Sequence, residues 1–135
     1  MTQGSPPERV IRVVAYYRDP SILERVIAHI RKLFMDLNWF YAYRNGDVLE
    51  IYIGLPDHKN FEIMVGNVHK TPEVEKVEVL EDAKVVKFKA DRKGNVTKMT
   101  ELNDVKEHDM VLNVPVYSKV TEYSWGEIRG KDLYG

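Results

Sequence analysis

Apolar and polar positions follow two different periods along the first part of the chain. The β-branched and aromatic run 10–17 predicts a strand with both faces buried. Apolar residues then recur every three or four positions from Ile22 to Leu37, which predicts an amphipathic helix reaching Asn38. A second, shorter apolar stripe after Pro56 predicts another helix, and it consists of Phe61, Met64, Val65 and Val68.

Two strands are predicted between these helices and one after them. The runs 39–43 and 48–55 are rich in β-branched and aromatic residues and flank Asn45-Gly46. Asn-Gly tolerates positive φ and is the strongest short-range signal of a hairpin. The run 74–80 alternates as a strand does. The predicted order is therefore β-α-β-β-α-β, in the α+β class.

The pattern changes after Glu81. A turn at 91–95 lies between two short β-rich runs and predicts a second hairpin, and 110–116 predicts an edge strand because Pro115 cannot donate a hydrogen bond. The aromatic residues of the tail predict an interface or a wrapping of the protein's own sheet; they are Tyr117, Tyr123, Trp125 and Tyr134. The expected organisation is a flexible leader, an α+β domain and a β-rich C-terminal extension, at 1–8, 9–82 and 83–135.

Charge balance and cysteine content narrow the expected partners. The chain has 20 Lys and Arg against 21 Asp and Glu, and a net charge of −1 argues against a general nucleic-acid binder. The absence of cysteine excludes disulfides, thiolate metal sites and cysteine nucleophiles, and it fits a cytoplasmic protein. No apolar run approaches the roughly 20 residues of a membrane-spanning helix, so no membrane partner is expected.

Catalytic signatures are missing from the sequence. It contains no phosphate-binding glycine loop and no G-x-S-x-G nucleophile elbow. His29, His58, His69 and His108 never occur at the i, i+4 spacing of a helical metal site, and the carboxylates are scattered. We therefore expect a non-catalytic protein with no metal site and no cofactor.

The residues around the predicted first helix carry a resemblance to a known family. Asp19-Pro20 stands at the predicted turn, Leu23 and Val26 follow on the helix, and Asn38 stands at its predicted end. Together with the β-α-β-β-α-β order, these residues resemble the ACT domain family. They are most similar to the regulatory small subunit of acetolactate (acetohydroxyacid) synthase. The segment 70–77 is also similar to the family's fourth strand and the residues before it.

The resemblance implies a ferredoxin-like βαββαβ sandwich whose protomers pair as dimers or larger assemblies. It also implies a branched-chain amino acid bound between protomers, as an allosteric effector of a catalytic synthase subunit. The backbone amides at the start of the first helix would suit the ligand's carboxylate. The ligand-binding positions implied by the resemblance are Asp19, Pro20, Ser21, Ile22, Leu23 and Asn38.

Two glycines of the family pattern are replaced in this chain. Ser21 stands where the turn has glycine, and Asp36 stands where the helix-end motif has glycine. A side chain at position 21 crowds the space in which the backbone would approach a ligand. This favours an alternative, a ferredoxin-like oligomerisation or partner-binding module without ligand binding. Asp19 and Asn38 then serve only as helix caps.

Overall fold

The computed structural model describes residues 8–100 and 105–123, which form an α+β protein with antiparallel sheets. These residues divide into two compact units, one of 8–81 with 120–123 and one of 82–100 with 105–119. The elements in chain order are β1 (Glu8–Tyr16), α1 (Ser21–Lys32), β2 (Trp39–Asn45), β3 (Val48–Pro56), α2 (Phe61–His69), β4 (Val74–Leu80), β5 (Lys84–Ala90), β6 (Val96–Lys98), β7 (Met110–Val116) and β8 (Val120–Glu122).

The first unit contains α1, α2 and a five-stranded sheet in the order β2-β3-β1-β4-β8. Each pair of neighbouring strands is antiparallel. Alternate side chains of β1 and β3 point into one apolar core, where they meet the buried faces of both helices. This arrangement is compatible with the predicted β-α-β-β-α-β layout. The centre of the core includes Ile11, Val13, Val26, Ile51, Ile53 and Met64.

The hairpin between β2 and β3 is confirmed, with its turn one residue later than Asn45-Gly46. Asn45 pairs with Val48, so the two-residue loop is Gly46-Asp47. Gly46 has a φ of 64°, and Asp47 is not among the residues with positive φ. Glycine with positive φ at the first loop position is typical of a type II′ hairpin turn, whose twist matches that of the strands.

The prediction of a first helix reaching Asn38 was wrong. α1 ends at Lys32, and Asn38 directly precedes β2. Leu37, predicted on the buried stripe, is 39% exposed instead. The second helix begins at Phe61, the first residue of its predicted apolar stripe.

The early end of α1 has a clear cause in its backbone. Phe34 takes a φ of 58°, and its N–H donates to the Arg31 carbonyl at 3.0 Å. The Met35 N–H donates to the Ile30 carbonyl at 3.2 Å. These two bonds form a Schellman motif after the C-cap Leu33, and the buried Met35 and Ile30 supply its usual apolar pair. The helix cannot continue past a left-handed residue.

The second unit contains a three-stranded sheet in the order β6-β5-β7. The predicted hairpin is confirmed as β5 and β6, although β6 has only 3 residues. Asp91 holds the turn, because its carboxylate accepts the N–H groups of Lys93 and Asn95. β7 lies at the edge of the sheet, as its Pro115 predicted.

The extension expected at 83–135 does not remain separate from the first domain. β8 pairs with β4, with Val120 opposite Leu80, and so belongs to the first unit. Tyr123 packs against the first unit's core, where its hydroxyl lies only 2.9 Å from the position of a Cβ on Gly66. This close approach explains a glycine within α2. Of the other tail aromatics, Tyr117 belongs to the second unit, while Trp125 and Tyr134 lie outside the described residues.

Candidate functional site

The turn between β1 and α1 has a locally determined shape. Asp19 precedes Pro20, whose φ of −64° suits the start of a helix. The Asp19 carboxylate accepts the Ser21 N–H at 2.8 Å. Hydrogen bonds from the Ser21 hydroxyl and N–H lower the pKa of the Asp19 carboxyl, and the nearby Arg25 and Arg18 add to this effect. Asp19 therefore stays ionised at the mouth of the turn.

A cavity of about 120 Å³ opens at this turn. Arg25 donates to the Ser21 hydroxyl at 2.8 Å and forms an ion pair with Glu73. The Arg18 guanidinium lies 3.9 Å from the other carboxylate oxygen of Glu73. The cavity thus presents two guanidinium groups and two carboxylates, and it is lined by Arg18, Asp19, Ser21, Ile22, Arg25 and Glu73.

Glu73 reaches the cavity from an unusual backbone conformation. Its φ is 74°, in the left-handed region that costs a side-chain-bearing residue roughly 1 to 2 kcal/mol. Its carbonyl accepts the Tyr16 N–H at 2.7 Å, which joins the segment before β4 to the end of β1. The side chain is 15% exposed, so its contact with Arg25 is largely sheltered from water. Such strained residues occur preferentially at functional sites.

The first backbone amides of α1 already have partners within the chain. The Ser21 N–H is bound by the Asp19 carboxylate, and the Leu23 N–H donates to the Pro20 carbonyl at 3.0 Å. The Ile22 N–H makes a longer bond of 3.4 Å to the Asp19 carbonyl. Ile22 is buried in the core and Leu23 packs against it, whereas Pro20 is exposed. A ligand carboxylate at this turn would therefore meet the arginine side chains before the amides.

Asn38 lies far from the turn within one chain. Its side-chain amide donates to the Glu8 carboxylate at 2.7 Å, at the start of β1, whereas Asp19 follows the end of β1. α1 has 12 residues, so the two sites are separated by about 18 Å of helix. The structure brings Asp19 and Ser21 together, and Asn38 would join them only from a second chain.

A basic groove lies beside the turn, between α1 and α2, and shares Arg25 with the turn cavity. Its volume is about 330 Å³. Thr71 donates its hydroxyl to the Asn67 carbonyl at 3.0 Å, so we assign His29 Nε2, at 2.8 Å, as the donor to Thr71. Burial, together with Lys32, lowers the pKa of His29. The basic side chains that line the groove are Arg25, His29, Lys32 and Lys70.

The turn cavity contains three charged residues that the sequence did not single out, namely Arg18, Arg25 and Glu73. Ser21 and Arg25 are four positions apart on α1, a spacing that places them on one helix face. That spacing was a usable signal for Arg25. Glu73 lies 48 positions further along the chain than Arg25, and no local pattern links the two.

The sheet face opposite the helices carries aromatic side chains and one central charge cluster. Tyr41 and Tyr43 of β2 are exposed. Arg12 of β1 forms ion pairs with Glu50 and Glu78 on the strands to either side. Burial disfavours the Arg12 charge, but its hydrogen bonds to Glu50, Glu78 and Tyr52 outweigh burial and raise its pKa. Lys76 adds a second positive charge 3.7 Å from Glu78, so the cluster is balanced and offers no excess positive charge to a phosphate backbone.

The chain matches no protein-family model and no curated protein. Across residues 8–100 and 105–123, no helix combines the length and apolar character needed to cross a bilayer. In the same residues, no three potential metal-ligating side chains come together. Function is therefore inferred from the geometry of the first unit.

Proposed function

We propose that the first unit is a ferredoxin-like, ACT-like regulatory domain that binds a branched-chain amino acid at the turn between β1 and α1. The observation that carries this proposal is the pairing of opposite charges in one cavity of about 120 Å³. A free amino acid carries one carboxylate and one ammonium group. The guanidinium groups of Arg18 and Arg25 complement the carboxylate, and the carboxylates of Asp19 and Glu73 complement the ammonium.

The ligand's carboxylate would compete with Glu73 for Arg25. In the unliganded chain Arg25 binds both Glu73 and the Ser21 hydroxyl. A ligand that displaces the Glu73 carboxylate from Arg25 releases Glu73. This residue has a left-handed backbone and lies directly before β4. A ligand that binds one conformation of this segment more tightly shifts the population of conformations toward it. The activity of a catalytic synthase subunit bound to the domain would respond to that shift.

The fold supports the proposal in general terms. The order β2-β3-β1-β4, with α1 and α2 in the connections, is compatible with a ferredoxin-like sandwich. β8 adds a fifth strand beside β4. As a regulatory domain it would contain no catalytic residue. It would pair with a second copy, whose Asn38 would complete the site.

Isothermal titration calorimetry with valine, leucine and isoleucine tests amino-acid binding directly. We expect heat on titration and a rise in melting temperature, because ligand at 100 times its dissociation constant stabilises the folded state by about 2.7 kcal/mol. Isobutylamine, which lacks the carboxylate of valine, and isovalerate, which lacks its ammonium, should both bind far more weakly. Equal binding of either analogue would contradict recognition of the zwitterion.

Two variants form a matched pair for this test. Arg25→Gln removes the guanidinium from the cavity, and Arg9→Gln removes one that pairs with Asp57 at 3.2 Å outside it. Each loses one ion pair, but only Arg25→Gln should abolish the ligand-induced rise in melting temperature. If the Arg9 variant loses the response equally, the cavity is not the binding site.

The second candidate is a partner-binding module that has no small-molecule ligand. It is favoured by the internal bonds of the turn, since Asp19 already holds the Ser21 N–H and Glu73 already holds Arg25. A Ser21→Gly variant separates the two candidates, because it removes the side chain that occupies Arg25. Amino-acid binding should tighten in this variant if the turn is a ligand site. If neither the natural chain nor the Ser21→Gly variant binds an amino acid at millimolar concentration, the partner-binding module is favoured.

A further inference from the structure

Phe34 combines two features that rarely occur in one residue. Its side chain is 91% exposed, and its φ is 58°. A bulky residue in the left-handed region is a genuine outlier, and glycine usually occupies this position after a helix. The backbone is held there by the Schellman motif and by Asn60, the N-cap residue of α2, whose side chain donates to the Leu33 carbonyl at 3.2 Å. The fold therefore projects a phenyl ring into solvent at a cost in backbone strain.

The surroundings of Phe34 form a surface that is apolar at its centre. Ile27 is 38% exposed and Leu37 is 39% exposed. A cavity of about 400 Å³ lies between these residues and Phe34. This cavity is an open depression on the surface, and Phe34 itself lines one side of it. A projecting ring and an open apolar depression thus lie on one surface.

Two unpaired charges flank the same hollow. Arg31 and Asp36 both line it. Within the residues that the structure describes, neither makes an ion pair with another side chain, although each of the other five arginines of the first unit binds a carboxylate or a carbonyl. One positive and one negative charge on a single surface are complementary to the same surface on another molecule. This is the condition for an isologous interface, in which residue i contacts j and j contacts i.

We propose that the Phe34 surface, defined as Ile27, Arg31, Phe34, Asp36 and Leu37, binds a second copy of this chain about a twofold axis. The phenyl ring of each copy enters the hollow of the other, and Arg31 of each copy pairs with Asp36 of the other. This goes beyond the proposed function: Phe34 and Asn38 lie at the end of α1 away from Asp19, so this is a different contact from the one that would bring a second copy's Asn38 to the turn, and it needs no amino acid. Five residues a side are fewer than the roughly 20 to 30 of a standard interface, so the dimer is weak and concentration-dependent.

Sedimentation velocity on the full chain over a wide concentration range tests this interface. The sedimentation coefficient should rise with concentration as monomers associate. Phe34→Gly should raise the dissociation constant at least about tenfold, because exposed aromatic anchors dominate the energy of such interfaces. Glycine is the residue that suits this backbone, so loss of association in this variant cannot be attributed to misfolding.

Further variants provide the control and the decisive charge test. Tyr43→Ser removes a comparably exposed aromatic residue, 62% exposed on β2, and should leave the dissociation constant unchanged. Arg31→Glu should weaken the dimer by placing two carboxylates together, and adding Asp36→Arg to it should restore association. A chain that stays monomeric at every concentration, or a dimer that Phe34→Gly leaves intact, overturns the proposal. A dimer that Phe34→Gly leaves intact does not affect the amino-acid proposal, whereas a chain that stays monomeric also removes the second copy whose Asn38 would complete the amino-acid site.

Discussion

Phe34 and Glu73 are the two described residues other than glycine that have positive φ, and their surroundings differ completely. Glu73 is sheltered, and its carboxylate binds Arg25 while its carbonyl binds the Tyr16 N–H. These contacts offset the strain of its backbone. Phe34 is 91% exposed, so little burial of its own side chain offsets the same strain. The strain of the left-handed backbone is therefore compensated by contacts at Glu73 but not at Phe34.

Substituting each of them by glycine should have opposite effects. Phe34→Gly relieves a left-handed backbone at little loss of packing, so we expect the free energy of unfolding to rise by about 1 kcal/mol. Glu73→Gly relieves the same strain but leaves Arg25 without its carboxylate, so we expect the free energy of unfolding to fall. Urea unfolding of both variants under dilute conditions measures these changes. A loss of stability in Phe34→Gly would show that its ring packs more closely than its exposure indicates.

The candidate site was predictable from sequence only where its residues are neighbours in the chain. Asp19, Pro20 and Ser21 form the turn as expected, because Asp-Pro-Ser carries local helix-start signals. Glu73 joins them through an ion pair that spans the fold. The left-handed backbone of Glu73 could not be predicted from the sequence, since glycine and asparagine are the residues that usually adopt this conformation. The charge pairing of the cavity therefore emerges only from the tertiary structure.

At the scale of elements, the strands were predicted more accurately than the helices. β4 occurs as Val74–Leu80, as its alternation indicated, and the hairpin formed around Gly46. The end of α1 was missed because Phe34 continues an apolar period while its backbone terminates the helix. β8 was not predicted, since it has only 3 residues and its pairing with β4 is long-range.

Gly54 shows how one small residue determines the packing of two strands. It lies in β3 directly opposite Trp39 of β2, and the indole lies across it. A Cβ at position 54 would fall 2.1 Å from the indole Nε1, far inside contact distance. The indole nitrogen is also buried without a hydrogen-bond partner among the described residues, so the ring is held by packing alone. The position of the indole therefore depends on the absence of a side chain at Gly54.

Gly54→Ala should therefore destabilise the β2–β3 pair by about 1 to 3 kcal/mol, the usual cost of overpacking. Trp39→Ala removes the five-membered ring of the indole, whose Nε1, Cε2 and Cδ1 atoms would collide with the added methyl group. In a double-mutant cycle measured by denaturant unfolding, the Gly54→Ala cost should be smaller in the Trp39→Ala background. Strictly additive changes would mean that the two residues do not share this space.

At the scale of the whole molecule, the second unit is an insertion between two neighbouring strands of the first. The chain leaves the first unit after β4 and returns to it in β8, which pairs with β4. The sequence predicted an extension from residue 83 onward and left open whether its aromatic residues pack on the protein's own sheet, as Tyr123 does. Asp82 and the segment 118–119 are the two ends of the second unit, and they are bound together.

Asp82 holds these two ends through one carboxylate. It accepts the N–H groups of Ser118 at 2.9 Å and Lys119 at 2.8 Å, and also the Ser118 hydroxyl. The hydroxyl bond, followed by the two N–H bonds, lowers the pKa of Asp82 to about 2. The folded carboxyl thus stays ionised at a pH where the unfolded one is protonated. Asp82 therefore contributes its full stabilisation above pH 4, about the ordinary pKa of an aspartate. That stabilisation is lost as the pH falls toward 2.

Hydrogen exchange of the Ser118 and Lys119 amides measures this connection. In the natural chain, their protection should decrease as the pH falls from about 4 to about 2, because protonation weakens the acceptor. Asp82→Asn should show low protection at every pH, with no further decrease in this range. Asp91→Asn removes a carboxylate that binds Lys93 and Asn95 in the β5–β6 turn, so it should leave the two amides unchanged. Full protection in Asp82→Asn would mean that the ends of the insertion are held by their strands alone.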